Sequence, residues 1–155
     1  MMIVENKNGQ QLIDYINVTE DESLLSNLYS PITSTFAFIK CMGNYVVAFN
    51  KWRRQWEFPA GKIEPSESPK SCAIRELFEE TNQVVNHFEY KGLFKIYDKN
   101  NCQFRYRIAY YAEVDDLCEF KENDEMSQIK LWDLVDDIGY FDEVDLKMLK
   151  LCVEE

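Results

Sequence analysis

Apolar and aromatic residues follow two rhythms along this chain, and the changes between them predict an order of elements. Residues 32–41, 45–50, 88–97, 103–114 and 128–134 are rich in β-branched and aromatic side chains and predict strands. Residues 11–18 predict a further strand, at a sheet edge. Met42-Gly43-Asn44 and Asp98-Lys99-Asn100-Asn101 supply turn residues, so the strands they join should run antiparallel. Ser68-Pro69 marks a helix start, with serine as the cap and proline at the first helical position, where its missing N–H costs nothing. From there to Thr81 good helix formers dominate, and at ~100° per residue Ala73, Ile74, Leu77 and Phe78 share one side. That stripe would dock on a sheet. Phe141, Val144, Leu146, Met148, Leu149 and Cys152 keep a near-helical spacing and predict a C-terminal amphipathic helix over 141–153. Residues 115–124 read as an acidic loop.

This order implies a mixed sheet between two helices, an α/β fold. A chain of 155 residues suits one domain, residues 1–155, with 1–30 as an extension that is either an added strand or a dimerisation arm. Hydrophobic residues make up 46% and aromatics 14%, which argues against disorder. Cysteines 41, 72, 102, 118 and 152 are odd in number and contain no C-x-x-C pair. They read as free, mostly core-filling thiols of a reducing, cytoplasmic compartment. No apolar run reaches membrane length, and the N-terminus lacks the pattern of a secretory signal.

Charge narrows the partners. Seventeen Lys and Arg against 28 Asp and Glu give a net charge of −11, a surface that repels duplex nucleic acid. A small phosphorylated substrate remains compatible, because bound metal ions reverse a local field. Lys51, Arg53, Arg54 and Lys62 run against the acidic trend. They are either ordinary solubilising charges or phosphate partners.

The predicted helix over 69–81 carries the candidate chemistry. Glu76, Glu79 and Glu80 fall at i, i+3 and i+4, where like charges repel. Such a face is either solvated and paired within the helix to Lys70 and Arg75, or built to receive a hard divalent cation, Mg²⁺ or Mn²⁺. Spacing bears on that choice. Gly61, then Glu67, then Arg75-Glu76-Leu77-Phe78-Glu79-Glu80 resembles the Nudix box, G-x5-E-x7-R-E-U-x-E-E-x-G-U with U aliphatic. Two positions depart from it: Asn82 stands for glycine and Gln83 for the aliphatic residue. Asparagine is the next most tolerant of the left-handed conformation that ends such a helix, so Asn82→Gly should be neutral or mildly stabilising. Val84-Val85 could deliver the missing apolar residue one position late.

The resemblance implies a Nudix-type α/β/α sandwich with a mixed, largely antiparallel sheet. It also implies a MutT-like, metal-dependent hydrolase of a nucleoside diphosphate linked to another moiety. In such an enzyme Glu76, Glu79, Glu80 and the Ala60 carbonyl would hold Mg²⁺ or Mn²⁺, Arg75 would orient the carboxylates, and Glu67 would close the loop. Glu125, ahead of a strand containing Trp132, is a candidate ligand or base, or else a solvated loop acid. Arg53, Arg54, Lys62 and Phe58 are candidate substrate contacts, with Trp52 and Tyr97 as further aromatic candidates. The favoured substrate is a nucleoside triphosphate, oxidised ones included, cleaved to monophosphate and pyrophosphate. ADP-ribose or another nucleotide sugar is the alternative, and a non-catalytic ligand sensor is the reading of a different class. A homodimer is compatible with all of these. His87, the only histidine, suggests no catalytic dyad.

Overall fold

Strand β3 (Ile32–Cys41) carries apolar side chains on both faces, and the rest of the molecule is arranged around that fact. Phe36 and Phe38 enter one core cluster, Ala37 and Ile39 another on the opposite face. A strand buried on both sides needs a layer on each. In the computed structural model, which describes residues 2–25 and 27–154, helix α2 (Pro69–Thr81) covers one face through Ala73 and Leu77. Helix α3 (Glu143–Leu149) covers the other through Val144, Met148 and Leu149. The α/β/α sandwich is therefore present.

The remaining elements are β1 (Val4–Glu5), β2 (Gln10–Ile16), α1 (Glu20–Leu25), β4 (Asn44–Asn50), β5 (Gln55–Glu57), β6 (Ala60–Lys62), β7 (Glu89–Asp98), β8 (Gln103–Val114) and β9 (Met126–Trp132). The sheet runs β1-β2-β7-β8-β3-β4-β5, with β6 pairing β3 and β9 pairing β4. Only β3–β8 is parallel among the described pairs, so the sheet is mixed and largely antiparallel. β4 holds β3 only at Lys40 and Cys41, while β6 takes over at Ser34 to Phe36. That divergence lets the 60–62 strand enter beside β3 and brings its backbone under helix α2.

Several expectations change. β2 is not an edge strand, because β1 pairs on its outer side through Val4↔Leu12 and Glu5↔Gln11. The N-terminal segment adds strands to this chain's own sheet and is not a projecting arm. The buried side of α2 is Cys72, Ala73, Leu77, Glu80 and Thr81, whereas Phe78 is 49% exposed. The docking face is thus rotated away from Phe78, toward the side that carries Glu80. Gln83 is buried, Val84 exposed, and Val85 fills the core two positions late rather than one. Asp142 accepts from the Val144 and Asp145 N–H groups, so the last helix starts at Glu143 and ends in a π-helical turn, Lys150–Glu154. All five cysteines are free, but Cys102 and Cys118 are exposed rather than core-filling. No helix among the described residues is long and apolar enough to cross a membrane.

Candidate active site

The site is assembled where the 60–67 loop meets α2. Ser68 accepts from the Ser71 N–H and fixes the helix start. Glu67 accepts from Arg75 Nε at 2.7 Å, Arg75 Nη2 at 3.0 Å and the Glu64 N–H at 3.0 Å. The Arg75 guanidinium holds the Glu67 carboxyl down at about 2. The same fork reaches Glu76 at 2.8 Å and Glu79 at 3.1 Å, and its Nη2 donates to the Lys62 carbonyl. Arginine's planar set of donors suits this task. At Gly61 a Cβ would collide with the carboxyl group of Glu76, so the glycine makes room for that side chain. Asn82 ends the helix with φ 64°, left-handed as expected, and its side chain also accepts from the Lys121 N–H at 2.7 Å.

Glu80 differs from its neighbours. It is 4% exposed and among the described residues accepts one hydrogen bond, from the Ala60 N–H at 3.2 Å. Burial raises its carboxyl well above the usual range, and the nearby Glu125 and Glu76 charges raise it further. Burial also raises Glu76, partly offset by the hydrogen bond from Arg75. Glu125 belongs to the same group of acids. Its backbone is pinned by Asn123 Oδ1 and by the Lys51 N–H, and burial raises its carboxyl against the pull of Arg53.

Beside this group lies a cavity of about 320 Å³ bounded by Ala60, Gly61, Lys62, Arg53, Phe36 and Arg107, among others. Arg53 is held by Glu57 at 2.6 Å. Lys62 makes no ion pair among the described residues. Phe58 touches the cavity but sits mainly in the core, edge-on to Phe38 and Phe141. Arg54, at an exposed turn with φ 55°, and Trp52, 70% exposed, do not line the cavity. Tyr97 packs on Phe104 elsewhere. His87 is exposed and, among the described residues, bonds only the Glu113 carbonyl.

Sequence reasoning passed over Asn50 and Glu57. Asn50 is fully buried, caps the 51–54 turn through the Trp52 and Arg53 N–H groups, and donates to Glu57 and Glu125. The available signal was a polar residue closing an apolar strand before a basic turn. Asn123 likewise ties its loop to the Glu79 carbonyl.

As the side chains stand, no three His, Cys, Asp or Glu among the described residues converge to hold a metal ion. Arg75 accounts for this by drawing Glu76 and Glu79 to itself. The donor set nevertheless fits a hard divalent cation. All the candidate ligands are oxygens, and Glu80 is a buried carboxylate with anionic neighbours and a single hydrogen bond.

A sandwich of this order with an acidic helix over a glycine-opened cavity defines a Nudix-type site. The family model described as NUDIX domain matches residues 44–152, and the chain belongs to the Nudix family. Over 64 residues it is 36% identical to the candidate 8-oxo-dGTP diphosphatase YtkD of Bacillus subtilis (strain 168). That match spans 41% of this chain and 39% of the relative's length. The fold is similar to a mutant of the Bacillus subtilis pyrophosphohydrolase BsRppH, with TM-score 0.68 and 19% identity over 86% of this chain and 78% of that one. It is also similar to a MutT NUDIX hydrolase from Burkholderia pseudomallei, with TM-score 0.67 and 18% identity over 80% of this chain and 98% of the other.

Proposed function

We propose that the protein is a divalent-metal-dependent pyrophosphohydrolase that cleaves a nucleoside triphosphate, oxidised bases included, to the monophosphate and pyrophosphate. The observation that carries this reading is Glu80. A desolvated carboxylate among like charges accepts from the Ala60 N–H, and Ala60 lines a cavity that also presents Arg53 and Lys62. Anionic and cationic halves side by side suit a metal–polyphosphate pair.

Arg53 and Lys62 bind and orient the phosphates. Arg75, fixed by Glu67, orients Glu76 and Glu79 on the helix that also carries Glu80. Glu76, Glu79, Glu80 and the Ala60 carbonyl would hold the cation, which supplies positive charge to the phosphate oxygens and makes water more acidic when bound. Glu125, its proton affinity raised by burial, accepts the proton of the attacking water. A new P–O bond forms to that oxygen, the anhydride P–O bond breaks, and its electron pair leaves with the pyrophosphate. The name of the Bacillus subtilis relative and the Trp56-Glu57-Phe58-Pro59 entry to the box both support a triphosphate substrate. The test is a panel of nucleoside triphosphates, oxidised triphosphates and nucleotide sugars with Mg²⁺ or Mn²⁺. Products are resolved by chromatography. Monophosphate plus pyrophosphate is the expected outcome, and turnover unaffected by chelator overturns the metal-dependent reading.

A further inference from the structure

The mechanism leaves one buried polar network unused, at the wall of the same cavity formed by the N-terminal hairpin. Asn6 is buried in the β1–β2 turn. Its Oδ1 accepts from the Asn8 and Gln10 N–H groups, both at 3.0 Å, and its Nδ2 donates to Asp142 Oδ2 at 2.8 Å and Gln10 Oε1 at 3.2 Å. Gln10 Oε1 also accepts from Arg107 Nη2 at 3.0 Å. Arg107 Nη1 donates to Asp145 Oδ1 at 3.3 Å, and the guanidinium lies 5.5 Å from the centre of the Phe36 ring. Gln10, Phe36, Arg107 and Asp145 all line the cavity whose other wall is Ala60 and Gly61.

Fold stability is a weak reason for such a network. Replacing a buried ion pair with packed apolar groups is often neutral or stabilising. Here the pair occupies a cavity wall and retains unused capacity. Arg107 Nε and Asp145 Oδ2 have no hydrogen-bond partner among the described residues. Arginine offers donors and no acceptor, while a carboxylate oxygen accepts. Side by side in the cavity wall, they match a flat ring that presents a carbonyl next to a ring N–H.

We propose that the N-terminal hairpin is the specificity wall of the substrate cavity: through Asn6 and Gln10 it holds Arg107 beside Asp145, and that pair selects a nucleobase carrying a carbonyl next to a ring N–H. This inference rests on the nucleotide reading above and adds the class of base. Guanine, 8-oxopurines and uracil have such an edge; adenine and cytosine do not.

The test uses the full chain, its Gln10→Ala and Arg107→Met variants, and Arg107→Lys as the conservative replacement. Two readouts are taken: kcat/KM on GTP, 8-oxo-dGTP, UTP, ATP and CTP, and calorimetric binding of GMP, UMP and AMP, which needs no turnover. Wild type should prefer the carbonyl/N–H bases by about 10- to 100-fold, the range for a charge-assisted hydrogen bond left unmade. Arg107→Met should bring the ratios near unity, with the loss mainly in KM, and Arg107→Lys should recover part of the preference. Gln10→Ala, which leaves the guanidinium in place but unbraced, should lower the preference and covers the case in which Arg107→Met fails to fold. Equal kcat/KM for all bases in the wild type, or ratios unchanged in Gln10→Ala, overturns the inference while leaving hydrolysis standing. GMP binding over AMP that Arg107→Met or Gln10→Ala abolishes, in a protein that hydrolyses none of the panel, supports this inference and overturns the hydrolase reading instead.

Discussion

Glu67→Gln isolates the clamp behind the acidic helix. The substitution keeps the shape of the side chain and removes the charge from three hydrogen bonds, two from Arg75 and one from the Glu64 N–H. Charge-assisted bonds are roughly twice as strong as neutral ones, and the pair is partly exposed, so a net loss of about 1–2 kcal/mol is expected. For a chain of this length that is a fall in Tm of about 3–6 °C. The pH dependence fixes the cause. Arg75 lowers the Glu67 carboxyl from its ordinary 4.5 to about 2 in the folded protein. Above the ordinary value both states are ionised and the stabilisation is complete. Between the two values the unfolded chain takes up a proton that the folded protein refuses, so the stabilisation drains away as pH falls. Urea melts of wild type and variant should therefore differ most near neutrality, draw together below about pH 4.5 and converge only toward about pH 2. Parallel curves at a constant offset would refute the ion-pair argument, and no offset at all would remove Glu67 from the clamp. Turnover should fall with stability, because an unanchored Arg75 no longer sets Glu76 and Glu79.

Gly61→Ala should lower the melting temperature only modestly, since the atoms nearest the added methyl all belong to the Glu76 side chain, whose displacement gives up the bond from Arg75; kcat should drop about tenfold or more as that carboxylate is displaced. Asn82→Gly relieves a left-handed asparagine but loses the bond to the Lys121 N–H, so the urea midpoint should fall by the equivalent of about 0.5 kcal/mol, reversing the expectation drawn from sequence alone. A higher midpoint would mean that bond contributes nothing. Glu125→Gln should lower kcat and flatten the acidic limb of the pH–rate profile, whereas Glu64→Gln, whose carboxylate is exposed and 3.7 Å from Arg75, should keep both.

What could be read from the sequence was what short-range chemistry decides. Ser68-Pro69 and Asn82 set both ends of α2, and the aromatic and β-branched run of β3 announced a strand, though not its burial on two faces. The resemblance to the Nudix box gave Glu67 and Arg75 separate tasks, closing the loop and orienting the carboxylates, while their direct pairing came only with the fold. The state of Glu80 was not legible either. Helical spacing placed it on an acidic surface, but β6 packs beneath it and turns the docking face away from Phe78. Gln83 looked like a defect, yet it bonds both backbone groups of Cys118, 35 residues away. The role of the N-terminal segment was hidden for the same reason. Asn6 meets Asp142 across 136 positions, a pairing no local pattern encodes.

Glu80→Gln tests the central claim most directly, through pyrophosphate release from a nucleoside triphosphate at saturating Mn²⁺, with and without EDTA. The variant keeps the shape of the side chain and the acceptor for the Ala60 N–H, while losing the buried charge. Wild-type turnover should vanish with EDTA, and the variant should be slower by about 10²–10³-fold even with Mn²⁺ present. Its metal-free melting temperature should match or exceed that of wild type, because a desolvated charge among like charges is gone. Near-normal turnover by Glu80→Gln with Mn²⁺ would contradict the account.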